Sequence, residues 1–209
     1  MSKNCEGRLY GILDLGYVTA DQAEKMTTLM LEGGIDLVQL RAKGVAEAEV
    51  AALGSKLAPL CRVAGIPFIL NDYPHLVPVT GADGVHVGQD DISVDEARKL
   101  AGPFAIVGKS THTPAQAAAA KEEGADYIGF GPLFSTPTKP EYIPVGLEDI
   151  RQAQELSGLP VFCIGGIKLE NLPTVLEAGA QNVVIVSGIL TAQDPVAYIK
   201  ECRSLLGQS

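Results

Sequence analysis

A length of 209 residues suits one large domain, and 46% hydrophobic with 20% charged residues is ordinary globular usage, which excludes long disordered stretches. The formal net charge of −9 disfavours a broad nucleic-acid interface, so an anionic ligand must meet a local basic cluster. Four scattered cysteines (Cys5, Cys61, Cys163, Cys202) make no metal-ligand spacing, and no leader or membrane-length apolar run appears, so we expect one cytoplasmic domain over residues 1–209 with free, mostly buried thiols.

Short apolar runs alternate with longer helical segments. The first run, LYGIL at 9–13, precedes Thr19 and Gln22, which fit a capping box. The second, DLVQL at 36–40, continues into Arg41-Ala42-Lys43. Strand periodicity puts Gln39, Arg41 and Lys43 on one face, so two cations and an amide share one exit from the core.

PFIL at 67–70 ends in Asn71-Asp72, and GVHV at 84–87 ends in Gly88-Gln89-Asp90-Asp91. Hard carboxylate oxygens there suit Mg²⁺, which takes few protein ligands and keeps water and phosphate oxygens. An Asp after a strand also serves as a turn or cap residue, and Asp90 fits that role better than Asp91. Ser93 with Glu96 makes a second capping box.

FAIV at 104–107 is followed by Gly108-Lys109-Ser110-Thr111-His112-Thr113, read as a loop before a helix that Thr113 caps and Pro114 opens. Ser110 could donate to a phosphate oxygen near that helix start. His112 could shuttle a proton, although a lone loop histidine is more often structural or a spectator, and His75 and His86 are read the same way. No Ser/His/acid nucleophile motif is recognisable.

DYIGF at 126–130 opens into a long loop rich in hydroxyls and prolines that contains Lys139. Its stretch from Leu133 to Pro144 fits a lid over a phosphorylated ligand, the alternative being a solvated connection. PVFCI at 160–164 precedes Gly165-Gly166-Ile167, and NVVIV at 182–186 precedes Ser187-Gly188. Small residues let backbone N–H groups approach an anion, and the loops after strands seven and eight are the recurrent phosphate place in barrels. Asp194 before Pro195 starts the last helix, and glycines 33, 102, 158 and 179 read as helix C-caps.

A weak repeat, Gly34-Ile35-Asp36, Gly81-Ala82-Asp83, Gly124-Ala125-Asp126 and Gly179-Ala180-Gln181, leads into the second, fourth, sixth and eighth runs. Eight strand–helix units with an alternate-strand echo favour an α/β (β/α)₈ TIM barrel over an open doubly wound sheet.

Taken in order, Gln39-Leu40-Arg41-Ala42-Lys43, Asn71-Asp72, Gly84-Val85-His86-Val87-Gly88-Gln89-Asp90-Asp91, Gly108-Lys109-Ser110-Thr111-His112, Thr136-Pro137-Thr138-Lys139-Pro140, Gly165-Gly166-Ile167 and Val186-Ser187 resemble the thiamine phosphate synthase family. The resemblance implies a transferase that moves hydroxymethylpyrimidine from its pyrophosphate ester to the nitrogen of thiazole phosphate with Mg²⁺. It implies that Arg41, Lys43, Asn71 and Lys139 hold pyrophosphate with Ser110 nearby. Gln39 would shape the pyrimidine side, with Leu40 and Ala42 in the same substrate-binding segment, and Asp72 and Asp91 would ligate Mg²⁺. Thr136, Pro137, Thr138, Gly166 and the Val186-Ser187 backbone would receive thiazole phosphate. Tyr73-Pro74 after Asn71-Asp72 departs from the family pattern, as does Gly188 where alanine is common. A thiazole tautomerase shares the Ser-x-His segment, and a noncatalytic phosphate sensor would keep the phosphate loops. Asp91 and Thr136-Pro137-Thr138-Lys139 argue for the synthase. Neither nucleic acid nor membrane is an expected partner, and the sequence leaves oligomeric state open.

Overall fold

The structure, a computed structural model, describes residues 7–135 and 143–207. Eight parallel strands close into a barrel in sequence order: β1 (Leu9–Asp14), β2 (Leu37–Arg41), β3 (Phe68–Asn71), β4 (Gly84–Val87), β5 (Ile106–Thr111), β6 (Tyr127–Phe130), β7 (Val161–Cys163) and β8 (Asn182–Ile185). Closure is the pairing of Leu9, Tyr10 and Gly11 with Val183, Val184 and Ile185. The expected (β/α)₈ barrel is therefore the fold.

Strand alternation divides the apolar residues into two layers. Tyr10, Ile12, Leu37, Ile69, Ile106, Tyr127, Phe162 and Val184 point inward and fill the barrel. Leu9, Leu13, Val38, Leu40, Leu70 and Val85 belong to the larger outer layer, beneath the helices. These helices are α1 (Ala23–Gly33), α2 (Glu47–Ala64), α3 (Val77–Thr80), α4 (Val94–Ala101), α5 (Pro114–Glu122), α6 (Ile150–Ser157), α7 (Leu172–Glu177), the single turn α8 (Ser187–Leu190) and α9 (Pro195–Leu205).

The expected caps largely appear. Ser93 Oγ accepts from the Glu96 N–H while Glu96 Oε2 accepts from the Ser93 N–H, a reciprocal box. Thr113 accepts from the Gln116 N–H and Asp194 from the Ala197 N–H. Gly33 differs from expectation: its Cα packs on Ile199 inside α1, and Gly34, at φ 89°, makes the left-handed cap.

The second correction concerns β5. The segment 108–111 is strand rather than loop, because its neighbours carry the register onward: His86 pairs with Gly108, Val87 with Lys109, Ser110 with Gly129 and Thr111 with Phe130. Gly108 and Ser110 consequently face the interior. Lys109 alternates away, is buried, and donates to the Gly88 carbonyl at 2.9 Å.

The repeat has a structural meaning at the N-terminal rim. The Asp36 N–H donates to the Leu9 carbonyl, and the Asp36 carboxylate accepts from the Leu9 N–H, both at 2.9 Å. Asp83 makes the same two-way clasp with Phe68 at 2.8 and 2.9 Å, and Asp126 with Val107 at 2.8 and 2.7 Å. The aspartate entering β2, β4 and β6 thereby satisfies an N–H in the first two residues of the odd strand before it, namely Leu9, Phe68 and Val107. Gln181 breaks the series, and Asn182 donates instead to the Val161 carbonyl.

Candidate active site

The C-terminal ends of the strands surround a cavity of about 930 Å³, counting its open mouth. β2 brings Gln39 and Arg41 to it, while Leu40 and Ala42 alternate into the outer core, so any ligand contact from those two comes from their backbone. Arg41 does not stand alone: its guanidinium donates to Asp14 Oδ2 at 2.7 Å, where β1 and β2 are in register. Asp14 is buried, and its Oδ1 accepts from the Gly16 N–H at 2.9 Å. This pairing fixes the Arg41 head at the rim.

One step outward, Lys43 meets Asp72 in an ion pair at the mouth of a second, connected recess that Arg41, Asn71 and Ser110 also line. Asp72 is the single non-glycine at positive φ among the described residues, at 67°. A left-handed Asp is tolerated where its side chain makes local contacts, and here it turns the carboxylate toward Asp91. Asp91 accepts from the Gly88 N–H at 2.6 Å. Burial raises the Asp72 pKa, more than Lys43 lowers it, and proximity to Asp91 raises it further. Burial acts upward on Asp91 too, but the Gly88 N–H, Asp72, Lys43 and Lys109 outweigh it and hold that carboxyl below the usual range. Lys43 is raised, chiefly by its bond to Asp72. Two carboxyls thus face each other with positive charge beside them.

Ser110 lies deeper, with its Oγ 3.0 Å from His86 Nε2. His112 also lines the cavity; its backbone N–H donates to Gln116 Oε1 at 2.7 Å and its Nδ1 meets the Gly131 carbonyl. His75 pairs with Glu47 at the surface, away from the cavity.

Across the mouth, Gly165, Gly166, Val186 and Ser187 line the cavity wall. Gly166, at φ 67°, lies so close to the β6–α6 loop that a Cβ would stand 2.7 Å from Phe134 Cβ. Val186 caps α8. A Cβ on Gly188 would stand 2.4 Å from the Tyr198 hydroxyl, and that hydroxyl accepts from the Leu169 N–H at 2.8 Å. This α9 tyrosine therefore gives the Gly188 departure a steric reason. Thr136, Pro137, Thr138 and Lys139, and the centre of the expected lid, lie outside the described residues.

The structure therefore gathers Gln39, Arg41, Lys43, Asn71, Asp72, Asp91 and Ser110 on one side of the mouth, and Gly166, Val186 and Ser187 on the other. Sequence reasoning passed over Asp14. Its signal was a carboxylate at the exit of the first run, in the same place as Asp72 after the third. Tyr10 and Tyr127 also went unnoticed, because aromatic residues in apolar runs read as core.

A sequence model of the family described as thiamine monophosphate synthase matches residues 9–189. A thiamine-phosphate synthase of Thermus thermophilus is 47% identical over 190 residues, covering 90% of this chain and 89% of that protein. One from Pelotomaculum thermopropionicum is 38% identical, covering 97% and 94%. Among solved structures, a thiamine phosphate pyrophosphorylase from Pyrococcus furiosus superposes with a TM-score of 0.86 at 30% identity, over 96% of this chain and 95% of that one. With a family match running from β1 into α8, and relatives alike over nearly their whole lengths, the chain belongs to the thiamine monophosphate synthase family.

Proposed function

We propose that this chain is a thiamine phosphate synthase that transfers hydroxymethylpyrimidine from its pyrophosphate ester to thiazole phosphate, releasing pyrophosphate. The observation that carries the reading is the two-sided mouth. Arg41, Lys43 and the Asp72/Asp91 pair stand on one side with Ser110, and the small-residue loops after β7 and β8 stand on the other. One side suits a pyrophosphate, whose charge needs several cations. The other suits a phosphate monoester approached by backbone N–H groups.

The C–O bond to pyrophosphate breaks with its electron pair leaving on the anion, and the thiazole nitrogen lone pair forms the new C–N bond to the pyrimidine methylene. Arg41 and Lys43 stabilise the departing charge, with Lys139 in the same role, and Asn71 and Ser110 donate hydrogen bonds. Gln39 orients the pyrimidine. Holding the two substrates on facing walls supplies the proximity that a weakly nucleophilic ring nitrogen needs. Leu40, Ala42, Thr136, Pro137 and Thr138 contribute to the same substrate sites.

Two facing carboxyls form a hard oxygen donor set that fits Mg²⁺, which commonly uses one or two carboxylates and completes its shell with water and phosphate. Asp72 and Asp91 would hold it, and Lys43 would then turn from Asp72 toward the substrate. When bound, the ion supplies neutralisation of pyrophosphate oxygens. The reading places the reaction in the cytoplasm, which the free, buried Cys61, Cys163 and Cys202 support.

The test is product analysis with both phosphorylated halves and Mg²⁺. Thiamine phosphate and pyrophosphate in equal amounts are expected. Binding of both halves without product would favour a sensor, and thiazole isomerisation that persists in chelator would favour a tautomerase.

A further inference from the structure

Five polar side chains cross the barrel interior in one chain of hydrogen bonds. Gln39 Nε2 donates to Tyr10 Oη at 2.7 Å, the Tyr10 and Tyr127 hydroxyls are 3.0 Å apart, Tyr127 Oη is 3.1 Å from His86 Nδ1, and His86 Nε2 is 3.0 Å from Ser110 Oγ. The members come from β2, β1, β6, β4 and β5 in turn, so only barrel closure brings them together. Gln39 and Ser110, at the ends, are the residues given substrate contacts above. Tyr10, Tyr127 and His86, in the middle, are given none.

The surroundings hold this chain in place. Tyr10 and Tyr127 are buried, and each packs edge-to-face on Phe162 at centroid distances of 5.4 and 5.6 Å. Gly108 faces the pair from β5: a Cβ there would lie 2.2 Å from Tyr127 Cζ and 2.5 Å from His86 Nδ1. Gly129 leaves similar space beside the His86 ring, 3.5 Å from Cε1. Two inward positions thus carry no side chain where the histidine and tyrosine sit.

We propose that Tyr10, Tyr127 and His86 are positioning residues that fix the Gln39 amide and the Ser110 hydroxyl in one orientation for the transfer, an inference that rests on the synthase reading. Each hydroxyl has one proton to give, and the proposal assigns it along the chain in the direction begun by Gln39. Tyr10 donates to Tyr127, and Tyr127 donates to His86 Nδ1. The imidazole is then the neutral Nε2–H form and donates to Ser110 Oγ. At one end the Gln39 carbonyl is left to face the cavity as an acceptor. At the other, the Ser110 proton is left to face it as a donor, suited to a pyrophosphate oxygen. Reversal would turn a Ser110 lone pair toward the cavity, the wrong polarity for an anion, and would turn the Gln39 amide from acceptor to donor. The three middle residues line the floor of the same cavity, and the role proposed for them is through their hydrogen bonds to one another. They hold the polarity of Gln39 and Ser110.

Two measurements test this. In nitrogen NMR of the substrate-free protein, His86 should be the Nε2–H tautomer, and Tyr127→Phe should shift the balance toward Nδ1–H. An Nδ1–H tautomer in the unaltered protein would overturn the proposed direction. In steady-state kinetics, Tyr10→Phe and Tyr127→Phe keep the rings and should each lower kcat about tenfold, with the KM for thiazole phosphate unchanged. Because the chain acts as one unit, the double variant should lose no more than the worse single. Losses that multiply, or no loss in variants whose melting temperatures match the unaltered protein, would overturn the positioning role. If one variant fails to fold, the other and the histidine tautomer still decide. Absence of product from the unaltered protein would instead defeat the synthase reading, and the tautomer would still report on the chain's direction.

Discussion

Arg41 reaches the barrel mouth already bound to a buried carboxylate, which changes how its removal must be read. Arg41→Ala alone strands Asp14, itself 2% exposed, and leaving such a charge unpaired costs about 3–5 kcal/mol in buried settings. Asp14→Asn with Arg41→Ala removes both partners and should recover most of that stability in a thermal melt. Both variants should weaken the pyrophosphate substrate by about tenfold or more while leaving thiazole phosphate binding unchanged. Equal losses on both ligands would make Arg41 a structural ion-pair partner. Asp91→Asn keeps the shape and removes a charge. It should lower turnover at least about a hundredfold, with near-normal thiazole phosphate binding, and should respond weakly to added Mg²⁺; full turnover in chelator would remove the metal assignment. At this scale Gln39 and Arg41 were legible because period-two alternation sets their common face, while Lys43 lies in the turn beyond β2 and lines the second recess. Asp14 was not, because its partner is 27 residues away and only the β1–β2 register joins them.

Among the elements, β5 shows where hydrophobicity misleads. The apolar run began at Phe104, but Phe104 is 83% exposed, and the strand runs instead from Ile106 through the polar Lys109-Ser110-Thr111. Polar residues at the mouth end of a barrel strand look like a loop in one dimension. The parallel neighbours that hold them in strand geometry are invisible there. The rim clasps were half legible: the repeat was visible, but its carboxylate-to-N–H bond to the preceding strand was not. Asp83→Ala should leave the Phe68 N–H unsatisfied and cost about 1–3 kcal/mol, read as a lower melting temperature with kcat intact. Gly188→Ala meets the Tyr198 hydroxyl and should cost a similar ~1–3 kcal/mol through overpacking. Adding Tyr198→Phe should return part of that loss. No relief would mean that α8, rather than the hydroxyl, sets the demand for glycine.

For the whole molecule, eight alternating units were enough to indicate a barrel, because each apolar run needs cover on both faces and closure leaves no edge strand. The division of the barrel into two rims could not be read that way. The site side chains gather at the C-terminal rim, whereas the Asp36, Asp83 and Asp126 clasps lie at the other. Ligand chemistry and strand anchoring therefore draw on different residues, which is why rim substitutions such as Asp83→Ala can be expected to separate stability from turnover.

The pairing of β1 with β8 makes the starting point of the chain a matter of convention. Arg8 reaches across to the Leu206 carbonyl, and a Cβ placed on Gly207 would lie 3.7 Å from Arg8 Nη1. A tether between residues 207 and 8 would therefore span a gap that one arginine side chain already reaches across, and a new break at Gly65, where an added Cβ would meet nothing within 4 Å, would fall in the α2–β3 turn on the anchoring rim. Such a rewired gene, opening with β3 and closing with α2, should encode a protein with the same circular dichroism spectrum and the same kcat, since neither the sheet nor the mouth depends on which strand comes first.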